Sequence, residues 1–303
     1  MTSVAPVDRG SNRRPSTDGA PGAAPSRRSY TEMIMGLPIS IHLRGIVDRA
    51  TEARAVQRVW DDLRTADHVF STYRDDSDIS RIARGEIGVD AADPAVREVL
   101  DLAEEARRRT AGAFDVCYAG RLDPSGIVKG WAAARAARHL DLPGVDWYLN
   151  AGGDIALHSD RGRPPWRVGI EDPADTNSVM AVVDVADCAI ATSGGAHRGA
   201  HIVDPRTGAA AAGIVQATVV GPDLVWADVF ATAFVAAGSA APGWSLPPGY
   251  ECLLVTDTGA VMGSAGMPAL LAVPQSVDPA RETGGPRMDA PTTPHGTAGL
   301  ARP

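Results

Sequence analysis

Asp228 and Thr232 stand four residues apart in the segment Asp223–Ala237. If that segment is helical, they share one face, because side chains at i and i+4 lie one above the other. The rest of it is strongly apolar, with Leu224, Val225, Trp226, Val229, Phe230, Phe234 and Val235. A carboxylate in such surroundings needs a partner, since burying it alone is costly. Two oxygen ligands on one face suit a hard cation such as Mg2+. The alternative is an arginine partner for Asp228, with Thr232 bonded back to helix carbonyls.

A second segment, Leu122–Trp131, reads LDPSGIVKGW and contains Lys129, the only lysine in the chain. Ser125 is placed to cap a helix whose first turn holds Lys129. Free N–H groups, the helix dipole and an ammonium would then converge on an anion such as phosphate. The GxxxxGK[ST] spacing of a Walker A loop is absent. The other reading is a surface lysine on an ordinary capped helix.

Three loops carry further candidates. Asn150–Asp154, NAGGD, has paired glycines after an apolar strand end, which permits positive φ and close approach to a ligand. It is also what a tight hairpin turn requires. Thr192–Pro205 packs hydroxyls, glycines and two histidines, His197 and His201, into a short span. No HExxH pattern accompanies them, and His201 reads either as a structural histidine or as a general base. Phe70–Arg81 places Tyr73 in a polar loop able to cover a planar ligand. Its other reading is the start of a solvated helix capped by Ser77.

These residues need a scaffold to bring them together. Four helices are predicted. The first spans about 50–67, with Val56, Val59, Trp60 and Leu63 on one face. The second starts at Asp93-Pro94, a cap followed by proline at the first helical position. The third follows Ser125, and the fourth runs from Asp223 to a stop before Gly238. Strands are predicted at Met33–Leu43, Asp146–Asn150, Trp166–Ile170, Val179–Val185, Ile214–Val220 and Tyr250–Thr256. They do not alternate regularly with helices, so an α+β body with mostly antiparallel sheets is expected.

Composition narrows the function. The chain has 303 residues, 29 basic and 37 acidic, and a formal net charge of −8. That balance argues against broad nucleic-acid binding, which needs a basic surface. Cys117, Cys188 and Cys252 form no CxxC pair, so no zinc site or disulfide framework is suggested. No apolar run is expected to reach the ~18 residues that span a membrane. Residues 1–29 and 274–303 have the composition of disordered tails, leaving a folded domain at 30–273. No signal peptide or lipobox cysteine is recognised, which points to the cytoplasm.

Taken in order, the motifs resemble the ApbE family, the FAD:protein FMN transferases. The matching pieces are Met35-Gly36, Phe70–Arg81, Gly112–Asp115 (GAFD), Leu122–Trp131, NAGGD, TSG…HIVDP and Ala227–Ala233 (ADVFATA). The resemblance implies an ApbE-like, T-fold-like α+β architecture. It also implies transfer of FMN from FAD to a threonine hydroxyl of an acceptor flavoprotein, with release of AMP and a need for Mg2+. The implied metal ligands are Asp228, Thr232 and the backbone carbonyl at Gly126. The implied FAD contacts are Met35, Tyr73, Ala113, Phe114, Asp115, Asp123, Lys129, Asn150, Gly152, Gly153, Asp154, Thr192, Ser193, His201 and Ile202. His201 is the implied base. Only seven residues separate Asp115 from Asp123, where many members of the family carry several dozen, which suggests a compact form. A non-catalytic FAD-binding protein and a hydrolase giving FMN and AMP are the competing readings.

Overall fold

The computed structural model describes residues 27–118, 120–160, 162–195 and 202–272. Within them the chain forms β1 (Arg28–Ile34), β2 (Leu37–Gly45), α1 (Arg49–Phe70), α2 (Asp78–Ala83), α3 (Pro94–Arg109), β3 (Cys117–Tyr118), β4 (Arg121–Leu122) and α4 (Ser125–Ala137). It continues through β5 (Val145–Ala151), β6 (Asp154–His158), β7 (Trp166–Asp172), β8 (Asp175–Val185), β9 (Cys188–Gly194) and β10 (Ile214–Gly221). The last elements are α5 (Leu224–Ala237), β11 (Glu251–Thr256), β12 (Val261–Gly263) and α6 (Met267–Leu270).

Eight strands make one sheet in the order β1-β2-β5-β6-β9-β10-β11-β12, and every pairing in it is antiparallel. Strand alternation gives this sheet two buried faces. One face carries Ile39, Ile41, Leu149, Ala191, Ala217 and Val219 into the main core, against α1, α4 and α5. The opposite face carries Tyr148, Ile155, Leu157, Ile190 and Leu253 into a second core beneath the β7–β8 hairpin. The result is three layers: helices, the long sheet, and a two-stranded sheet. Arg44 ties the long sheet to the two-stranded one. Its Nε lies 2.7 Å from Asp146 Oδ2, and its guanidinium sits 4.0 Å from the centre of the Trp166 ring.

Several sequence expectations need correction. The single strand expected at Met33–Leu43 is a hairpin, β1–β2, turning at Met35 (φ 55°) and Gly36 (φ 68°). An unbroken apolar alternation hides such a turn. The first strand starts at Arg28, inside the tail assigned to 1–29; residues 1–26 and 273–303 lie outside the described residues. Strands β6 and β9 were not predicted. The short helix α2 is the second reading of Phe70–Arg81: Ser77 is its N-cap, the side chain accepting from Ser80 N. A window of 18 residues, Leu224–Ala241, does meet the length and apolarity for a membrane span, and 72% of it is buried inside the protein. Packing against β9, β10 and α4 makes it the central core helix. Alanines on the facing strands (Ala189, Ala191, Ala217) let it lie close to the sheet.

The end of α5 depends on one glycine. Gly238 has φ 57° and ψ −130°, and a Cβ there would sit 1.9 Å from the Ala212 carbonyl oxygen. Gly238→Ala is therefore expected to lower stability by about 2–4 kcal/mol through strain and overlap together. Urea unfolding followed by circular dichroism measures this. A midpoint equal to that of the unaltered protein would show that the backbone can relax around the methyl group.

Candidate active site

The floor of the site is where α4, α5 and the start of β6 meet. Helix α4 begins at Ser125, and the capping differs from the expectation. Ser125 supplies no cap; instead Asp123 Oδ1 accepts the Ser125 N–H at 3.0 Å. Lys129 follows in the second turn, and its ammonium is not left facing bare helix N–H groups. It lies 2.5 Å from Asp154 Oδ2 and 3.7 Å from Asp228 Oδ1. Asp228 thus pairs with the lone lysine and not with an arginine.

Glycine permits this meeting. A Cβ on Gly130 would lie 3.2 Å from the Leu224 carbonyl and 3.3 Å from Asp228 Oδ2, so the helices cross in contact at that point. Asp228 is 2% exposed and Asp154 is fully buried. Burial, with the Asp154 carboxylate beside it, pushes the Asp228 carboxyl up to about 8, and Lys129 opposes that rise.

Hydroxyls line the same floor. Ser193 Oγ and Thr232 Oγ1 are 2.9 Å apart, and Thr192 Oγ1 is 2.9 Å from Thr218 Oγ1. Asp228 Oδ2 is buried and accepts no hydrogen bond from the described residues. An orphaned carboxylate oxygen beside a threonine hydroxyl is an oxygen donor set, which fits a hard divalent cation. Among the described residues no group of three or more His, Cys, Asp or Glu is arranged to hold a metal. A cation bound here would draw its remaining ligands from hydroxyls, carbonyls, water or a phosphate-bearing substrate, as Mg2+ commonly does.

Above this floor opens a cleft of about 1160 Å³. Of the residues singled out in the sequence, it is lined by Met35, Tyr73, Ala113, Phe114, Asp115, Asp123, Gly126, Lys129, Gly152, Thr192, Ser193, Ile202, Asp228 and Thr232. Their positions have local causes. Met35 lies on the β1–β2 turn. Phe114 follows α3, its N–H donating to the buried Thr110 Oγ1 at 3.0 Å. Gly126 packs against the Phe114 ring, where a Cβ would sit at 3.3 Å. Tyr73 is 97% exposed on the loop between α1 and α2.

Three expected contacts do not line the cleft. Asn150 is used within its own turn, its Oδ1 accepting the Gly153 N–H at 2.8 Å. Gly153 (φ 107°) and Gly152 (φ 62°) form the two-residue turn of the β5–β6 hairpin, because Ala151 pairs with Asp154. Asp154 points into the floor, beside Lys129 and Asp228, and does not itself line the cleft. His201 and His197 lie outside the described residues.

The sequence reading passed over three contributors: Gly130, Thr218 and Arg121. Gly130 had a signal, standing directly after Lys129. Thr218 had none, because it acts from the middle of an apolar strand. Arg121 lines the cleft from the short β3–β4 hairpin and makes no ion pair among the described residues.

A model of the ApbE family matches residues 35–121 and 119–253. The chain belongs to the ApbE family. Every residue that lines the cleft falls within those two stretches. Among relatives, the FAD:protein FMN transferase of Rhodobacter capsulatus is 35% identical over 162 residues, 50% of this chain and 31% of that protein. The FAD:protein FMN transferase of Escherichia coli (strain K12) is 34% identical over 129 residues, 39% of this chain and 37% of that protein. The matched part is thus about a third of each curated relative's length. Among solved structures, the ApbE protein of Thermotoga maritima superposes with a TM-score of 0.70 at 20% identity, covering 82% of this chain and 100% of that one. The flavin transferase ApbE of Vibrio cholerae gives 0.69 at 23% identity, with coverage of 82% and 100%. These structures establish a shared α+β ApbE fold.

The buried floor of this ApbE protein has a signature in pH. A carboxyl raised from 3.8 to about 8 on folding holds its proton more tightly in the folded state. Its stabilisation is full below the unfolded value and lost as pH rises through the folded value. In chelator, thermal stability is expected to fall from about pH 5 to about pH 9, and Asp228→Asn should flatten that part of the profile. Differential scanning calorimetry checks this; identical slopes for the two proteins would rule out Asp228 as the source.

Proposed function

We propose that this protein is a Mg2+-dependent FAD:protein FMN transferase. It moves FMN from FAD to a threonine hydroxyl of an acceptor flavoprotein and releases AMP. The observation that carries this reading is the cluster of Lys129, Asp154 and Asp228 at the floor of a cleft roomy enough for a dinucleotide. The relatives' names supply the reaction class, and the cleft supplies groups suited to it.

The reaction joins the threonine oxygen to the FMN phosphorus and breaks the bond from that phosphorus to the bridging oxygen. The bridging oxygen leaves with AMP, and the threonine proton passes to a base. Phosphoryl transfer of this kind depends mainly on positioning and charge neutralisation. A divalent cation held by Asp228, Thr232 and the Gly126 carbonyl would supply charge neutralisation on the diphosphate. Lys129 offers a second positive charge at the same floor. Met35 and Tyr73 at the rim are placed to hold planar parts of the substrate. Phe114 and Val128 give the cleft buried apolar wall beside the floor. His201 is the proposed base, a role worth about 10²–10⁴-fold in rate. We place the reaction in the cytoplasm; cell fractionation that recovers the protein only elsewhere overturns that placement.

Incubation with FAD, Mg2+ and an acceptor bearing a threonine flavinylation sequence should add the mass of FMN to the acceptor, as read by intact-protein mass spectrometry. Free FMN and AMP without that gain would mark a hydrolase, and intact bound FAD would mark a binding protein. Asp228→Ala is expected to lower transfer by at least about 10³-fold, since it removes the metal's charged ligand. Full activity in that variant would remove Asp228 from the metal assignment.

A further inference from the structure

Asp154 belongs to a glycine turn that was expected to touch the ligand, yet its carboxylate is fully buried and does not line the cleft. Oδ1 accepts the Thr192 N–H at 3.4 Å; Oδ2, like Asp228 Oδ2, accepts no hydrogen bond from the described residues, but it is ion-paired with Lys129 Nζ at 2.5 Å. The same ammonium has a second carboxylate near it, Asp228, whose Oδ1 stands at 3.7 Å, beyond hydrogen-bond distance. Asp228 Oδ2 accepts no hydrogen bond from the described residues. One ammonium thus faces two buried carboxylates and is drawn close to only one of them. Backbone position sets the choice: Asp154 opens β6 at the end of a two-residue turn, and Asp228 is fixed on α5 where that helix crosses α4 at Gly130.

We propose that Asp154 is a positioning residue that holds the Lys129 ammonium off Asp228, keeping the Asp228 carboxylate open for a divalent cation. This inference rests on the metal reading given above. An ammonium and a divalent cation compete for the same carboxylate oxygens, and in a desolvated site each contact is strong. With Asp154 neutralised, Asp228 is the carboxylate nearest to Lys129 among the described residues. A movement of about 1 Å brings Nζ to ordinary charge-assisted hydrogen-bond distance from Asp228. A cation must then displace the lysine before it can bind. Asp154 in this role touches neither substrate nor metal; it acts through the position of Lys129.

The test uses the full chain and Mn2+ as the probe, titrated without FAD and read by electron paramagnetic resonance of the free ion. Asp154→Asn keeps an oxygen that can accept the Thr192 N–H, so the turn is preserved while the charge is lost. This variant is expected to bind Mn2+ at least tenfold more weakly than the unaltered protein. Its crystal structure should show Lys129 Nζ within hydrogen-bond distance of Asp228. Mn2+ affinity within twofold of the unaltered protein, or a Lys129 still held away from Asp228, overturns the proposal. If Asp154→Asn does not fold, Lys129→Met replaces it: that variant should bind Mn2+ at least as tightly as the unaltered protein, and weaker binding overturns the proposal. An unaltered protein that binds no Mn2+ overturns the metal reading itself, and this inference with it. Normal binding with an unresponsive Asp154→Asn variant overturns only the positioning role.

Discussion

Two carboxylates and one ammonium share the dry floor between α4, α5 and β6, and the surrounding structure is arranged to let them meet. Burying Asp154 and Asp228 without a cation would be severely unfavourable. Lys129 lies within reach of both, at 2.5 and 3.7 Å. Bringing it there requires Gly130, which allows α5 to lie against α4, and a two-residue glycine turn, which aims Asp154 inward. The one lysine in an otherwise arginine-based chain sits at this point. A compact ammonium is a point charge that can face two carboxylates at once, whereas a guanidinium is a wider planar fork.

The layered fold serves the same end. Antiparallel alternation gives the long sheet two apolar faces. The β7–β8 hairpin covers one of them, so the other is left for the helices and the cleft. Alanines on β9 and β10 lower the ridge height under α5, and α5 can then present Asp228 and Thr232 above β9, whose Ser193 meets Thr232 at 2.9 Å. The cleft rim comes from turns, including the β1–β2 turn at Met35 and the loop that carries Tyr73. The floor comes from regular elements, which hold side chains more rigidly than loops do. The chemistry that needs precise placement sits on the floor, and the parts that must admit a substrate sit on the rim.

The net charge of −8 is compatible with an anionic substrate because it describes the whole chain and not this cleft. Most described arginines with charged partners pair with surface carboxylates, as in Arg107 with Glu104 and Arg109 with Glu105. Such exposed pairs contribute little and are screened. Among the described residues Lys129 and Arg121 are the cations lining the cleft, and they differ in kind. Lys129 is fixed between acids, whereas Arg121 stands on the short β3–β4 hairpin.

Much of this was legible in the residues. The apolar period of α1, the Asp93-Pro94 start of α3, the start of α5 at Asp223 and the i, i+4 placement of Asp228 and Thr232 are local facts, settled within one or two helical turns. The ordered series of short motifs was also enough to suggest the family. Local patterns could not reveal the hairpin inside Met33–Leu43, because a turn with apolar neighbours preserves the alternation of a single strand. Nor could they separate the ligand-facing from the turn-building residues of NAGGD, where Asn150 closes the turn and Asp154 lies buried beneath the cleft floor. The partners of Lys129 are the clearest case. The sequence determined that a lone lysine lies near the start of a helix, that an aspartate ends a glycine turn, and that another aspartate lies on an apolar helix. Only tertiary structure decided that all three meet, because the cost of burying charge is settled between segments far apart in the chain and leaves no trace in the periodicity of any one of them.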